Sequence, residues 1–110
     1  FDSEDEVRAL QPDFRALAKL GRMIIATAPG RQADFVSRFF APGLGIDEDP
    51  VTGSSHSTLI PYWAGRLGKT TLYALQVSRR GGELHCEHLG DRVKIAGNAV
   101  PYLEGWIEAA

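Results

Sequence analysis

The sequence has a single cysteine, Cys86, and no apolar run that approaches the length of a membrane span. One cysteine excludes an intramolecular disulfide. A chain without disulfides is typical of a reducing compartment, so we expect a cytoplasmic protein. A membrane-spanning helix needs about 20 predominantly apolar residues in succession, and we therefore expect no membrane partner.

An excess of charge of one sign is also missing. The chain carries 12 Lys and Arg residues against 14 Asp and Glu residues, and the basic residues are scattered rather than gathered in a stripe. Nucleic-acid binding depends on clustered Lys and Arg, so it is not expected here. With 44% hydrophobic and 24% charged residues among 110, the composition is that of one globular domain with its own core.

The hydrophobic periodicity predicts an α+β domain. A helix at 55–67 carries apolar residues on much of its circumference, so we expect it to be buried at the centre of a β-rich wrap. A shorter helix is predicted at 14–20, and residues 1–6 read as the tail of a strand that passes into an acidic loop. Further strands are predicted at 23–28, 34–40, 72–78, 84–89 and 92–96, with a last irregular strand at 98–107.

The most informative segment is Gly45–His56, a predicted loop that carries three acidic residues and runs into the start of the 55–67 helix. Pro50 disfavours a helical backbone at the residue before it, which fixes the direction in which the Asp49 carboxylate projects. Asp49 is therefore the candidate for a catalytic acid or base. The alternative is a solvated acidic loop without a chemical role.

The residues that follow Pro50 are candidates for anion binding. The first amides of a helix have no intrahelical acceptor and lie at the positive end of the helix dipole, so the amides of Thr52, Gly53, Ser54 and Ser55 can hold a carboxylate or phosphate. The alternative is a well-capped helix without a ligand. A helix end contributes up to about 2 kcal/mol, whereas millimolar binding needs about 4 kcal/mol. Other groups must therefore complete any site.

The histidines and the cysteine do not form a recognisable catalytic or metal motif. His56 lies in the first turn of the predicted helix, where the dipole disfavours an imidazolium, so we expect a neutral, hydrogen-bonded ring. Asp49, Ser54 and His56 do not have the spacing of a nucleophile elbow, which argues against a serine hydrolase. His85 and Cys86 are neighbours on a predicted strand and point to opposite faces, so no metal site is expected.

Several motifs resemble the C-terminal half of PhzF-like phenazine-biosynthesis proteins. The resemblance extends from about Val7 to the end of the chain, and the acidic motif is its most specific part. The matching segments are 34–42, Gly45-Ile46, the run 48–54 with His56, Pro61-Tyr62-Trp63, Arg79 or Arg80 before 81–84, and 90–93 with Gly97.

This resemblance implies the diaminopimelate-epimerase fold, in which two similar lobes each wrap β-strands around a central helix. It also implies a cofactor-independent isomerase or epimerase that moves a proton on a small acid in the cleft between the lobes. Asp49 would be the catalytic residue of this lobe. The substrate-binding residues would be Thr52, Gly53, Ser54, Ser55 and His56. The epimerase relatives use a cysteine pair, but the acidic motif has no cysteine, so Cys86 is not expected to be the base.

The family's principal acid/base is a glutamate in the N-terminal lobe, and nothing in this chain matches that lobe. Residues 1–110 are therefore expected to be the C-terminal lobe of a two-lobe isomerase, inactive alone and without metal or cofactor. The expected partners are a small carboxylate substrate, the N-terminal lobe and, by resemblance, a second copy in a homodimer. The alternatives are a non-catalytic small-acid binding protein, a module that dimerises through its β-strands and a phosphate binder.

Overall fold

Six strands and three α-helices occupy residues 1–96 of the computed structural model, which describes all residues from 1 to 110. A short 3-10 helix at Pro42–Leu44 joins the second strand to the third. The longest helix has 12 residues, and none of the helices could cross a membrane. In chain order the elements are α1 (Glu4–Ala9), α2 (Phe14–Lys19), β1 (Ile24–Pro29), β2 (Phe35–Ala41), β3 (Ile46–Asp49), α3 (His56–Leu67), β4 (Thr71–Gln76), β5 (Gly82–Leu89) and β6 (Arg92–Ala96).

All six strands form one mixed sheet in the order β1-β2-β4-β5-β6, with β3 paired to β2 outside this path. Strand β2 is antiparallel to β1 and to β3 but parallel to β4. The parallel pairing follows from the connection between β2 and β4, because that connection contains α3 and crosses over the sheet. The predicted α+β class is therefore confirmed.

Helices cover both faces of the sheet. Because successive side chains of a strand point to opposite faces, Phe35 of β2 packs beneath α3 while Val36 packs beneath α1 and α2. The α3 side of the core contains Phe35, Leu59, Ile60, Trp63, Ala64, Leu72, Ala74, Leu84 and Cys86. The other side is smaller and is built from Val7, Ala26, Ala28, Val36, Phe40 and Val77.

Helix α3 buries the face that carries Leu59, Ile60 and Trp63, as its predicted apolar stripe requires. The ring of Trp63 stacks on Phe35 with 5.6 Å between the ring centroids. The opposite face of α3, which includes Tyr62, is exposed in this chain. The strands of residues 1–110 therefore cover one side of the predicted central helix.

Two predictions about the ends of the chain are wrong. Residues 1–6 were expected to end a strand, but Glu4–Ala9 form α1. Ser3 caps this helix by accepting a hydrogen bond from the backbone N–H of Glu6, a local pattern that overrides the weak strand signal. Residues 98–107 were expected to form an irregular strand, but they adopt no regular structure and leave Trp106 97% exposed. No neighbouring strand of this chain pairs with them.

Candidate active site

The site is built where two strands meet along one edge of β2. Strand β4 pairs with the first half of β2 and ends with Gln76 opposite Ser37, while β3 pairs with the second half and places Asp49 opposite Phe39. The ends of β3 and β4 therefore lie next to each other, although Asp49 and Gln76 are 27 residues apart in sequence. The predicted acidic loop is in part the strand β3, which corrects the prediction for residues 46–49.

All the hydrogen bonds of the Gln76 side chain are made to the segment that contains Asp49. Its Oε1 accepts from the backbone N–H of Thr52 at 2.7 Å. Its Nε2 donates to the backbone carbonyl of Asp49 at 2.8 Å and to the Thr52 hydroxyl oxygen at 3.0 Å. The sequence reasoning missed this residue as a site residue. The available signal was a glutamine on the same strand face as Leu72 and Ala74, because a buried amide must find partners.

Thr52 lies at the centre of the resulting network and is only 7% exposed. Its hydroxyl donates to Oδ2 of Asp49 at 2.5 Å. Its carbonyl accepts from the Ser55 hydroxyl at 2.9 Å and faces Nδ1 of His56 at 2.7 Å. Since the N–H, hydroxyl and carbonyl of Thr52 are all used within the chain, this residue holds the segment in place.

The Asp49 carboxylate is half-buried, and its two oxygens differ. Oδ2 accepts the hydrogen bond from Thr52, whereas Oδ1 has no hydrogen-bond partner within the chain. Of the two other acidic residues in the segment, Glu48 is bound by Arg38, through two N–H groups at 2.7 and 2.8 Å. Asp47 is exposed and makes no ion pair or hydrogen bond. Asp49 is therefore the acidic residue of this segment that the fold positions with one oxygen left available.

Two further contacts hold the segment against the sheet. The Ser78 hydroxyl, two residues beyond Gln76, donates to the carbonyl of Pro50 at 2.8 Å. Val51 packs so closely on Gly82 that a Cβ atom there would lie 2.1 Å from the Val51 Cγ2 atom. A larger residue at position 82 would therefore have to displace the Val51 side chain.

The amides of Gly53, Ser54 and Ser55 have no hydrogen-bond acceptor within the chain. They precede α3 and lie at the positive end of its dipole, where free N–H groups attract anions. Gly53 and Ser54 are exposed, and Gly53 lines an open cleft of about 470 Å³ whose far side is formed by residues of β5 and β6. Asp49 is not among the residues that line this cleft.

The side chains of Ser55 and His56 face the interior, so any contact they make with a ligand from solvent goes through the backbone. His56 is fully buried beside Phe35, with 5.9 Å between the ring centroids. Because a carbonyl can only accept, the contact with Thr52 places the ring proton on Nδ1 and leaves Nε2 without a partner. Burial is the main cause that lowers the pKa of His56 below its ordinary value of 6.5. A pKa below 6.5 keeps the His56 ring neutral at pH 7, in agreement with the neutral ring expected from the sequence.

This lowered pKa predicts a pH dependence of stability. In the unfolded chain His56 binds a proton near pH 6.5, but in the folded chain it binds one only at lower pH. Between these values the unfolded state holds more protons, so the free energy of unfolding falls as the pH drops below about 6.5, by at most about 1.4 kcal/mol per pH unit. Urea unfolding at pH 7.5 and pH 5.5 measures this decrease.

His56→Asn is the matched comparison, because its amide can still donate to Thr52 but does not titrate. We expect the variant to be less stable at both pH values and to show a smaller difference between them. His85 and His88 are present in both proteins and cancel in the comparison. An equal pH dependence in both proteins would contradict the burial of a neutral His56.

No three side chains of His, Cys, Asp or Glu converge on a common point where they could hold a metal ion. His85 and Cys86 point to opposite faces of β5, and burial raises the pKa of the Cys86 thiol in the core beneath α3. A buried thiol with a raised pKa stays protonated at neutral pH, so it cannot accept a proton there. Cys86 lies in the core and takes no part in the network around Asp49.

Residues 1–105 match the family model described as phenazine biosynthesis-like protein, PhzC-PhzF. The chain belongs to this family. The resemblance inferred from the motifs is therefore confirmed, and it extends over nearly all of the sequence.

Family members from bacteria and mammals are similar to this chain. An uncharacterized isomerase of Pseudomonas aeruginosa is 62% identical over 107 residues, which are 96% of this chain and 41% of that protein. An uncharacterized isomerase of Halalkalibacterium halodurans is 41% identical over 93% of this chain and 40% of its own length. The human phenazine biosynthesis-like domain-containing protein is 51% identical over 74% of this chain and 30% of its own length. The chain thus spans about two fifths of the bacterial relatives.

Solved structures of the family share the fold. A PhzF family protein from Enterococcus faecalis superposes with a TM-score of 0.85 at 54% identity, over 88% of this chain and 38% of that protein. A PhzC/PhzF protein from Clostridium difficile superposes with a TM-score of 0.87 at 50% identity, over 99% of this chain and 43% of that protein. The predicted fold class is confirmed by this agreement, and family membership makes the chain part of an isomerase-type family.

Proposed function

We propose that this chain supplies one half of the active site of an isomerase that moves a proton on a small carboxylate-bearing metabolite. The observation that carries the proposal is the half-buried Asp49 carboxylate, which keeps one oxygen free and is followed closely by the unbonded amides of Gly53, Ser54 and Ser55. A proton-transferring group and donors for an anion therefore belong to the same segment. Two bacterial relatives are named as uncharacterized isomerases, which supports the same class of reaction.

Each group has a role in the proposed reaction. The substrate carboxylate accepts hydrogen bonds from the free amides, which also stabilise the negative charge that develops when a proton leaves the neighbouring carbon. Oδ1 of Asp49 takes up or releases the proton, while Oδ2 stays bound to Thr52. Ser55 acts through its backbone amide, because its side chain is buried. The His56 amide donates to the carbonyl of Gly53, so His56 supports the segment and offers the substrate no free donor.

The second acid/base group is proposed to come from outside these 110 residues. The chain spans about two fifths of the length of its bacterial relatives, so most of a relative's chain has no counterpart here. By family resemblance the missing part is an N-terminal lobe that closes the cleft and carries a glutamate. The proposal also includes a homodimer, on the same resemblance, and the cytoplasm, on the single cysteine. No metal or cofactor has a role in the proposed reaction.

Exchange of carbon-bound protons with solvent tests the proposal. Small carboxylic acids are incubated in D₂O with the native gene product that carries this sequence, and deuterium in the recovered acid is measured by mass spectrometry. We expect catalysed incorporation into at least one acid. The 110-residue chain alone is the matched control and is expected to catalyse none, because it lacks the second group.

The intact mass of the native gene product is measured alongside the screen, to establish whether the other lobe lies on the same chain. Acids that bind without any exchange would favour the non-catalytic small-acid binding protein. Exchange by the purified 110-residue chain would overturn the assignment of the second group to another lobe.

A further inference from the structure

Gln76 has all its side-chain partners in the segment 49–52, which points to a role in the site rather than in the core. We infer that Gln76 is a positioning residue that fixes Asp49 through Thr52, so that Oδ2 is occupied and Oδ1 alone faces the substrate. The inference rests on the proposed function, because it assigns a geometry to the proton transfer proposed above.

The orientation of the Gln76 amide is determined by its backbone partners. The N–H of Thr52 can only donate, so it must meet Oε1, and the carbonyl of Asp49 can only accept, so it must meet Nε2. If the oxygen and nitrogen positions were exchanged, Nε2 would face the N–H of Thr52 and Oε1 would face the carbonyl of Asp49, so neither hydrogen bond could form. The amide therefore holds the backbone at both ends of the Asp49–Thr52 turn in a single arrangement.

This orientation also decides where the Thr52 hydroxyl proton goes. Nε2 of Gln76 donates to the Thr52 oxygen, so the one proton of that hydroxyl is left to donate to Oδ2 of Asp49. The ionised carboxylate accepts this hydrogen bond. A protonated Oδ2 would have to donate to the second lone pair of the Thr52 oxygen, which would leave the hydroxyl proton without a partner. The chain Gln76 to Thr52 to Asp49 thus favours proton transfer at Oδ1.

A glutamine that served only to fill the core would be replaceable by leucine. Gln76 is 1% exposed and lies on the same strand face as Leu72 and Ala74, where an apolar side chain of similar size would avoid the cost of burying an amide. The full set of hydrogen bonds offsets that cost, and each bond ends on the segment that carries Asp49. Gln76 therefore holds the segment 49–52 in place and does more than fill the core.

Two substitutions in the native gene product separate the functions of the amide. Gln76→Leu removes the donor and the acceptor at every pH. Gln76→Glu keeps an acceptor for the Thr52 N–H while ionised, and regains a donor when it is protonated. Burial raises the pKa of a carboxyl introduced here, so protonation falls within reach of experiment. Leu72→Met, a conservative change on the same face of β4 away from the segment, is the control.

The kcat for solvent exchange of the acid found in the screen is measured at pH 5 and pH 8, with folding checked by circular dichroism. We expect Gln76→Leu to lower kcat by up to about 100-fold at both pH values, with a smaller change in KM, because the reacting oxygen is misplaced. For Gln76→Glu, kcat relative to the parent is expected to rise about tenfold from pH 8 to pH 5. Leu72→Met is expected to retain the parent kcat.

Each variant's kcat is divided by the parent's kcat at the same pH, because the other ionisable groups around the segment are common to all the proteins. These groups are Asp49 and Glu48 on β3, Arg38 on β2, His56 on α3, and Arg8, Arg79, Arg80 and Glu83 around the end of β4. A purely structural role of Gln76 would lower stability in both variants without a pH-dependent recovery of kcat. An unchanged kcat in both variants would overturn the inference while leaving the proposed function intact.

A second readout does not depend on catalysis. In the isotope-labelled native product, NMR couplings report the Asp49 χ1 angle, and we expect one rotamer in the parent and averaging in Gln76→Leu. If no acid exchanges, the proposed function fails and the rotamer measurement alone decides the positioning role. A single Asp49 rotamer in both proteins would overturn that role.

Discussion

Asp49→Asn is expected to lower the rate of proton exchange by about 10²- to 10⁴-fold, the range that a positioned acid or base contributes. Asparagine has nearly the same size and its side-chain oxygen can still accept the hydrogen bond from Thr52, so the segment should stay in place. It cannot take up or release a proton in the neutral range. The measurement is deuterium incorporation by the native gene product, with melting temperature as a check on folding.

The chain offers a matched control two residues earlier on β3. Asp47 is exposed and unpaired, so Asp47→Asn makes the same chemical change without touching the network, and we expect parent-like exchange. A loss of exchange only in the Asp49 variant would assign the chemistry to the positioned carboxylate. Parent-like exchange in both variants would argue against a catalytic role for Asp49 and would favour a module that dimerises through its β-strands.

Phe35→Ala is expected to lower the free energy of unfolding by about 3–5 kcal/mol. The ring is fully buried, stacks on Trp63 and lies beside His56, so its removal opens a cavity between β2 and α3. A typical domain is stable by only about 5–15 kcal/mol, so this loss is a large part of the total. Urea unfolding of the native gene product, followed by tryptophan fluorescence, measures the change.

An exposed apolar residue provides the comparison for this substitution. Leu44 is 71% exposed on the short 3-10 helix, and Leu44→Ala should change the free energy of unfolding by less than about 0.5 kcal/mol. If Phe35→Ala cost no more than Leu44→Ala, Phe35 would not be packed between β2 and α3.

The local part of the site was open to prediction from sequence because its causes are local. The proline after Asp49 constrains the backbone of that residue, and the free amides before α3 follow from the start of a helix. Gln76 was not assigned to the site, since it lies 27 positions from Asp49 and nothing in the intervening sequence indicates that the two strand ends meet. The burial of the Ser55 and His56 side chains was missed for a similar reason.

Regular elements were predicted where the hydrophobic period was strong. Helices α2 and α3 and strands β1, β2, β4, β5 and β6 all lie within a few residues of their predicted positions. The ends of the chain were predicted wrongly. Ser3 and Glu6 carry a helix-capping signal that was not weighed. The irregular strand predicted at 98–107 finds no strand partner within these 110 residues, and a strand needs one to form.

The sequence by itself determined the α+β class, the family resemblance and the position of Asp49 as the candidate acid or base. These depend on side-chain period, on short motifs and on the backbone preferences of neighbouring residues. Only the tertiary structure decided which Asp49 oxygen is free, why Thr52 has no group left for a ligand, and that Gln76 joins the two. The physical reason is that β3 and β4 share one edge of β2, so hydrogen bonds between distant residues depend on a pairing that no local pattern specifies.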